Sequence, residues 1–212
     1  MKKKGVFITF EGPEGSGKST LIKAAARFFR NKGFSVLILR EPGGTAISEA
    51  VRQILLDRNN LKMTVETELF LYLAARAQIV REKILPALEQ GKVVICDRYH
   101  DSTVAYQGYA GGIPGNLIDQ PGKLAKAGLE PDYTFLLDVE TEKGLKRAGR
   151  TDRMEKKSLA FHRRVRRGFL ALARKYPGRM LVLRDEKDIR VKVAKLEAAL
   201  SRFSVRLIKC LS

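Results

Sequence analysis

Eight residues near the start of the chain have the types and spacing to hold a phosphate: Gly12, Pro13, Glu14, Gly15, Ser16, Gly17, Lys18 and Ser19. They fit the pattern G-x-x-x-x-G-K-[ST] at every required position. The glycines let consecutive backbone N–H groups point into one concavity without Cβ clashes. A helix beginning near Lys18 adds the positive end of its dipole there. Lys18 can then reach the terminal phosphates of a nucleoside triphosphate, and the Ser19 hydroxyl is placed to ligate Mg²⁺. A glycine-rich turn that merely joins a strand to a helix is the bland alternative. A match at all fixed positions and on both flanks disfavours it.

More chemistry-bearing residues follow apolar runs. Arg40-Glu41-Pro42-Gly43-Gly44-Thr45 ends one such run, and Asp97-Arg98-Tyr99 ends another. Ligands of open parallel sheets bind at strand carboxyl ends. Asp97 is therefore the candidate for orienting Mg²⁺ and its waters. Arg98 offers a planar fork suited to a second phosphate group, with a strand-end ion pair as the non-functional reading. His100 and His162 show no partner pattern for acid–base work and read as bystanders.

The elements that must position these residues alternate. Val6–Phe10 reads as a buried strand, 18–32 as a helix and Phe34–Leu39 as a strand. Helices are expected over about 46–57 and 65–90, the second with Pro86 kinking or breaking it near its end. Val93–Asp97 is a third strand, and 101–108 a short helix before a flexible glycine-rich loop over 108–115. A helix over about 117–127 leads to the strand Pro131–Asp138. A basic segment over 143–184 carries a helix over about 155–175, and a strand at Met180–Leu183 precedes an amphipathic helix over 189–203. Alternation of this kind implies a parallel sheet covered on both faces. For the tail over 203–212 there is no argument either for packing or for disorder.

A chain of 212 residues suits one α/β domain, and no composition break divides it. No apolar run reaches the length of a membrane span, and a phosphate-loop strand directly after the basic start argues against a signal peptide. Two cysteines, Cys96 and Cys210, point to a reducing cytoplasm rather than a disulfide framework. Forty-one basic against twenty-three acidic residues give a net charge of +18. That balance fits nucleic acid, two phosphorylated substrates held at once, or a Lys/Arg-rich surface, and charge alone does not choose.

Four blocks in order make the sequence resemble the bacterial thymidylate kinases. They are the phosphate loop with Glu14; 40–45; Tyr72-Leu73-Ala74-Ala75-Arg76-Ala77-Gln78; and Asp97-Arg98-Tyr99 running on to Ala105-Tyr106-Gln107-Gly108. The resemblance implies an α/β fold with a five-stranded parallel sheet, a single domain over 1–212 and a lid over about 141–155. It implies transfer of the γ-phosphoryl of ATP to dTMP with Mg²⁺, in a cytoplasmic homodimer with no membrane or nucleic-acid partner.

By the same resemblance, Glu14 accepts from the deoxyribose 3′-hydroxyl, Arg98 grips the acceptor's 5′-phosphate assisted by Arg52, and Glu41 belongs to the monophosphate site. Tyr72 stands where the family usually stacks Phe on thymine. Arg76 donates to the thymine O4, Thr103 and Gln107 read the base edge, and Tyr106 packs under the sugar. Some relatives carry an arginine directly after the loop carboxylate, where this chain has Gly15, so the lid must supply it. Arg147, Arg150 and Arg153 are the candidates, Arg150 before Arg153 as the catalytic one. The basic run Arg163, Arg164, Arg166 and Arg167 reads as a solvated helix face. Two rivals stay open: a kinase for another deoxynucleotide such as dUMP, and a nucleic-acid-binding ATPase.

Overall fold

The computed structural model describes residues 5–149, 152–186 and 188–211. β1 (Val6–Glu11) is buried along its whole length, as an apolar strand flanked on both sides must be. Around it lie β2 (Val36–Arg40), β3 (Val93–Asp97), β4 (Tyr133–Asp138) and β5 (Met180–Arg184). All pairs are parallel, in the order β2-β3-β1-β4-β5. The five-stranded sheet expected from the sequence is the one observed.

Alternate residues of the strands face opposite layers. On one face Ile8, Phe10, Phe135 and Leu137 meet Leu21, Ala25 and Phe29 of α1 (Lys18–Arg30) and Leu196 and Leu200 of α9 (Ile189–Leu211). On the other face Phe7, Val94 and Cys96 meet Ile79, Ile84 and Leu88. Beside them Leu136 meets Val165, Phe169 and Leu172 of α8 (Leu159–Lys175). Each such buried Leu or Phe contributes about 1.5–3 kcal/mol.

Side-chain caps start the helices that carry the site. Thr45, Thr64 and Ser158 accept from the N–H groups of Ser48, Thr67 and Phe161. They open α2 (Ala46–Leu56), α3 (Val65–Ile79) and α8, satisfying donors that a first turn leaves unpaired.

Two expectations change. The single helix over 65–90 is α3, a π-helical turn (Val80–Ile84) and α4 (Leu85–Glu89). Pro86 has no N–H and its ring crowds the carbonyl one turn back; the widened turn lies there and carries the helix past it. The glycine-rich loop is also shorter than expected, because α5 (His100–Thr103) continues as π-helical turns through Ala110. A Cβ on Gly108 would stand 3.0 Å from Ile118 Cδ1, and one on Gly111 2.6 Å from the Gln107 carbonyl. Gly108 permits close packing against α6 (Gly115–Ala125), and Gly111 against Val65 of α3 and its own preceding turn.

Register decides where chemistry can occur. Phe10 and Arg40 both pair with Asp97. The phosphate loop, Glu41 and Asp97-Arg98 therefore leave the sheet at one edge, where the chain crosses from β3 over β1 to β4. The expected lid begins with α7 (Thr141–Ala148); Arg150 lies outside the described residues. No described helix is long and apolar enough to cross a membrane.

Candidate active site

The loop after β1 has the backbone that its glycines foretold. Gly12, Gly15 and Gly17 adopt φ of 141°, 63° and 90°. A Cβ on Gly12 would lie 2.4 Å from the Leu137 carbonyl oxygen, and one on Gly15 2.0 Å from that of Gly144 in α7. No larger residue fits at position 15 while α7 packs here, which is the physical counterpart of the missing loop arginine. No side chain caps α1 at Gly17, so its first N–H groups remain for a ligand. Lys18 Nζ donates to the carbonyls of Gly12 and Pro13 at 3.2 and 3.1 Å.

Burial, then the nearby Arg98 charge, pushes the Lys18 ammonium down to about 8. Its charge is lost in the free enzyme as pH rises through that value, whereas bound phosphates favour the charged form. We expect kcat/KM for ATP, which reports the free enzyme, to fall above about pH 8. The alkaline limb of kcat should lie at higher pH. A kcat/KM profile flat to about pH 10, near the ordinary lysine value, would contradict this.

A cavity of about 470 Å³ opens from the loop and runs beneath α2, α3 and the helix after β3. Lys18, Ser19, Glu41, Arg52, Tyr72, Arg76, Asp97, Arg98, Thr103, Tyr106 and Gln107 all line it, so these sequence-derived candidates are brought together in one place.

Its middle is a knot around Glu14. The carboxylate accepts from Tyr106 OH and, at 3.3 Å, from Arg98. Burial raises its pKa, but the His162 ring, the Arg98 guanidinium and the Tyr106 hydroxyl outweigh this and hold it at about 2. Arg98 also donates to the Gly12 carbonyl at 3.0 Å and to Ser102 Oγ at 3.2 Å. Its φ of 68° is unusual for a side chain of that size. Glu11 over-determines that turn by accepting from the Tyr99 N–H at 2.8 Å and the Ser102 hydroxyl at 2.6 Å. Burial and the Asp101 carboxylate push Glu11 up to about 8.

The far end is a buried polar cluster. Arg76, 1% exposed, places Nε and Nη2 each 2.7 Å from Glu41 Oε2 and Nη1 2.9 Å from Thr103 Oγ1. His100 packs on Gly122, where a Cβ would meet its ring at 2.3 Å, with Nδ1 3.5 Å from Arg76. Tyr72 is half-buried on the wall, and burial raises its hydroxyl pKa. Gln107 donates to Glu68 at 2.7 Å. Arg52 donates to the Pro42 carbonyl at 2.9 Å.

Ser19 and Asp97 offer donors that suit a divalent cation. Asp97 Oδ1 is buried with no hydrogen-bond partner, and both residues line the cavity beside the loop. A hydroxyl and a carboxylate are the hard oxygen donors that Mg²⁺ takes.

The lid arginines are not used alike. Arg147 lines the cavity and pairs with Asp185 at 3.1 Å. Arg153 does not line it: it is buried, donating to the Leu55 carbonyl at 2.8 Å with Nη2 2.7 Å from Glu68 Oε2. In the basic run, Arg163 and Arg167 are exposed as expected. Arg166 is instead tied to Asp138 at 2.7 Å and Arg164 to the Ala110 carbonyl at 3.2 Å.

Three residues were missed. His162 is no bystander to the site: it is 1% exposed, with Nδ1 3.3 Å from Glu14 Oε2. Its place beside Phe161, Val165 and Phe169 at helical spacing was the available signal. Glu68 precedes Tyr72 and Arg76 by four and eight positions, on one helix face. For Glu11, inside an apolar strand, local sequence offered nothing.

The thymidylate kinase family model matches residues 10–196. The thymidylate kinase of Geotalea daltonii is 46% identical over 211 residues, covering 94% of this chain and 99% of that protein. That of Geobacter sulfurreducens is 49% identical over 188 residues, covering 84% and 88%. The crystal structure of thymidylate kinase from Ehrlichia chaffeensis is similar with a TM-score of 0.77 at 36% identity, covering 93% of this chain and 98% of that one.

Proposed function

The chain belongs to the thymidylate kinase family and phosphorylates dTMP to dTDP, and from that premise we propose how its own residues use ATP to do so. One observation carries the reading: a single cavity joins the phosphate loop to the buried Arg76–Glu41–Thr103–Gln107 cluster. A donor-rich end suits the triphosphate, and an end with fixed donors and acceptors suits a base.

The loop N–H groups and Lys18 hold the β- and γ-phosphates. Arg98, already oriented by Gly12 and Ser102, grips the acceptor's 5′-phosphate with Arg52 beside it. The acceptor is anionic, so transfer rests on alignment and charge stabilisation rather than on a base. Glu14, with Oε1 taken by Tyr106 and Arg98 and Oε2 facing His162, takes the sugar 3′-hydroxyl. Tyr106, fixed by Glu14, walls off C2′. Tyr72 stacks on the ring, Arg76 donates to O4, and Thr103 and Gln107 read the remaining edge. Ser19 and Asp97 would hold Mg²⁺, which when bound would supply neutralisation of phosphate charge. Arg147 on the cavity wall and Arg150 after it supply the lid's positive charge. Arg153 reaches the phosphates only by leaving Glu68.

The enzyme works as a cytoplasmic homodimer. Exposed Ile47 and Ile54 of α2, Phe70 of α3, and Leu117 and Leu124 of α6 supply the apolar face, and α3 packs against both neighbours. The +18 charge serves two phosphorylated substrates and the surface, not nucleic acid.

Coupled ADP release with dTMP, dUMP, dCMP, dGMP and ribothymidine monophosphate tests this. The expected order puts dTMP first and dUMP lower by about 10–200-fold for the missing methyl. dCMP and the ribonucleotide should be poor, and added DNA without effect. Turnover of none of them by protein that still binds ATP would overturn the reading.

A further inference from the structure

Gln107 has one end spoken for. Its amide nitrogen donates to Glu68 Oε1 at 2.7 Å, both residues being 1% exposed. No hydrogen bond among the described residues uses its Oε1. A carboxylate accepts and does not donate, so a reversed amide would set two oxygens against each other. Two cations keep the carboxylate in place: Arg153 Nη2 lies 2.7 Å from Oε2, and Lys157 Nζ 3.1 Å. Gln107 thus offers the cavity an acceptor. Beside it Thr103 Oγ1 accepts from Arg76, which leaves the threonine's own proton free to donate.

We infer that Glu68 is a positioning residue that fixes the polarity of the base-reading edge, and through it the choice between pyrimidines. The inference rests on the acceptor site proposed above. Thymine and uracil carry a hydrogen on N3, whereas cytosine presents a lone pair there. An outward Gln107 Oε1 accepts from the first pair and repels the second. Arg76 makes the matching distinction at ring position 4. The two act on different atoms, so rejection of cytosine does not depend on the arginine alone. A site built to hydrogen-bond one edge rejects an analogue with the wrong edge far more strongly than shape does, because its own buried groups are left unpaired.

The assignment also explains Arg153 and Lys157. They reach Glu68 from the end of the lid and the turn before α8, so the chain from lid to helix sets the polarity of the pocket. Glu68, Tyr72 and Arg76 then form one stripe of α3: a polarity anchor, a stacking ring and an edge reader at four-residue spacing.

The test is the ratio of kcat/KM for dTMP to that for dCMP. The amide introduced by Glu68→Gln can accept from Gln107 or donate to it, so the lock is lost. The ratio should fall about 10- to 100-fold, partly through faster use of dCMP. Glu68→Asp keeps an acceptor-only group and should keep the ratio, even where turnover of dTMP falls. A merely structural residue would lower both substrates together and leave the ratio alone; that result in Glu68→Gln overturns the inference. If Glu68→Gln does not fold, Gln107→Met removes the amide itself, and an unchanged ratio there overturns it equally. Absence of dTMP turnover in the unaltered enzyme is a separate failure, that of the kinase reading.

Discussion

Lys18→Met lowers kcat by about 10³-fold while the protein melts within a few degrees of the parent. The catalytic side follows from position. Lys18 Nζ sits at the loop mouth on the carbonyls of Gly12 and Pro13, where the charge of a transferring phosphoryl group develops. Inside a water-poor site such a donor needs no reorganisation at the moment of reaction, and removing one typically costs about 3–4 kcal/mol of barrier.

Stability follows from the same burial. The fold depresses the lysine's ionisation to about 8, so it disfavours charge there, and methionine of similar length removes that penalty. Against this stand two loop carbonyls left without a donor, worth about 1–3 kcal/mol, and the opposing effects nearly cancel. Steady-state kinetics beside thermal unfolding checks both halves. A rise in KM for ATP with unchanged kcat would reduce Lys18 to a ground-state contact. A large loss of melting temperature would make it a structural lysine.

The contrast between Lys18 and Glu68 shows which parts of the site could be read from the chain. The phosphate loop is a local device: eight consecutive residues hold every torsion and donor it needs, and strand and helix flank it directly. Four-residue spacing puts Tyr72 with Arg76, and Thr103 with Gln107, on one helix face, but only the resemblance to the family's motifs gives them a base-reading role; spacing alone reads as core aromatic and surface polar residues. The five parallel strands were legible because short apolar runs alternated with helical ones.

What failed depended on partners distant in sequence. Gln107 meets Glu68 across 39 residues, and Arg153 meets the Leu55 carbonyl across 98. No local pattern distinguishes a lid arginine over phosphates from one drawn into a helix face. His162 was set aside because its partner, Glu14, stands at the opposite end of the chain. Gly108 misled for a different reason, whereas Pro86 marks a real interruption of its helix. Glycine is a breaker on its own, but close packing against Ile118 keeps Gly108 helical, while the widened turn before Pro86 lets the chain stay helical past it.

Glu41→Ala should destabilise the fold by about 3–5 kcal/mol, a drop of about 10 °C or more in melting temperature for a chain of this size. Glu41 and Arg76 are 5% and 1% exposed, and two guanidinium nitrogens meet one carboxylate oxygen at 2.7 Å. Burial pushes the Glu41 carboxyl up, and the Arg76 charge pulls against that. Alanine removes the anion and leaves a guanidinium in the interior beside Thr103, His100 and the Tyr99 ring, none of them an anion. That uncompensated charge, more than the lost contact, is the source of the effect.

The double variant Glu41→Met/Arg76→Met separates the two contributions. Removing both charges and filling the space with apolar atoms is often neutral or stabilising, so the pair should recover most of what the single change lost. Turnover of dTMP should stay low in both, since the donor proposed for O4 is misplaced in one and absent in the other. Urea unfolding with coupled kinetics on the three proteins decides it. A single variant as stable as the parent would mean that water reaches the pair. A double variant no better than the single would mean that packing, not charge, governs this end of the cavity. The expected pattern, stability restored and activity not, would identify the buried pair as retained for recognising the base at no benefit to the fold.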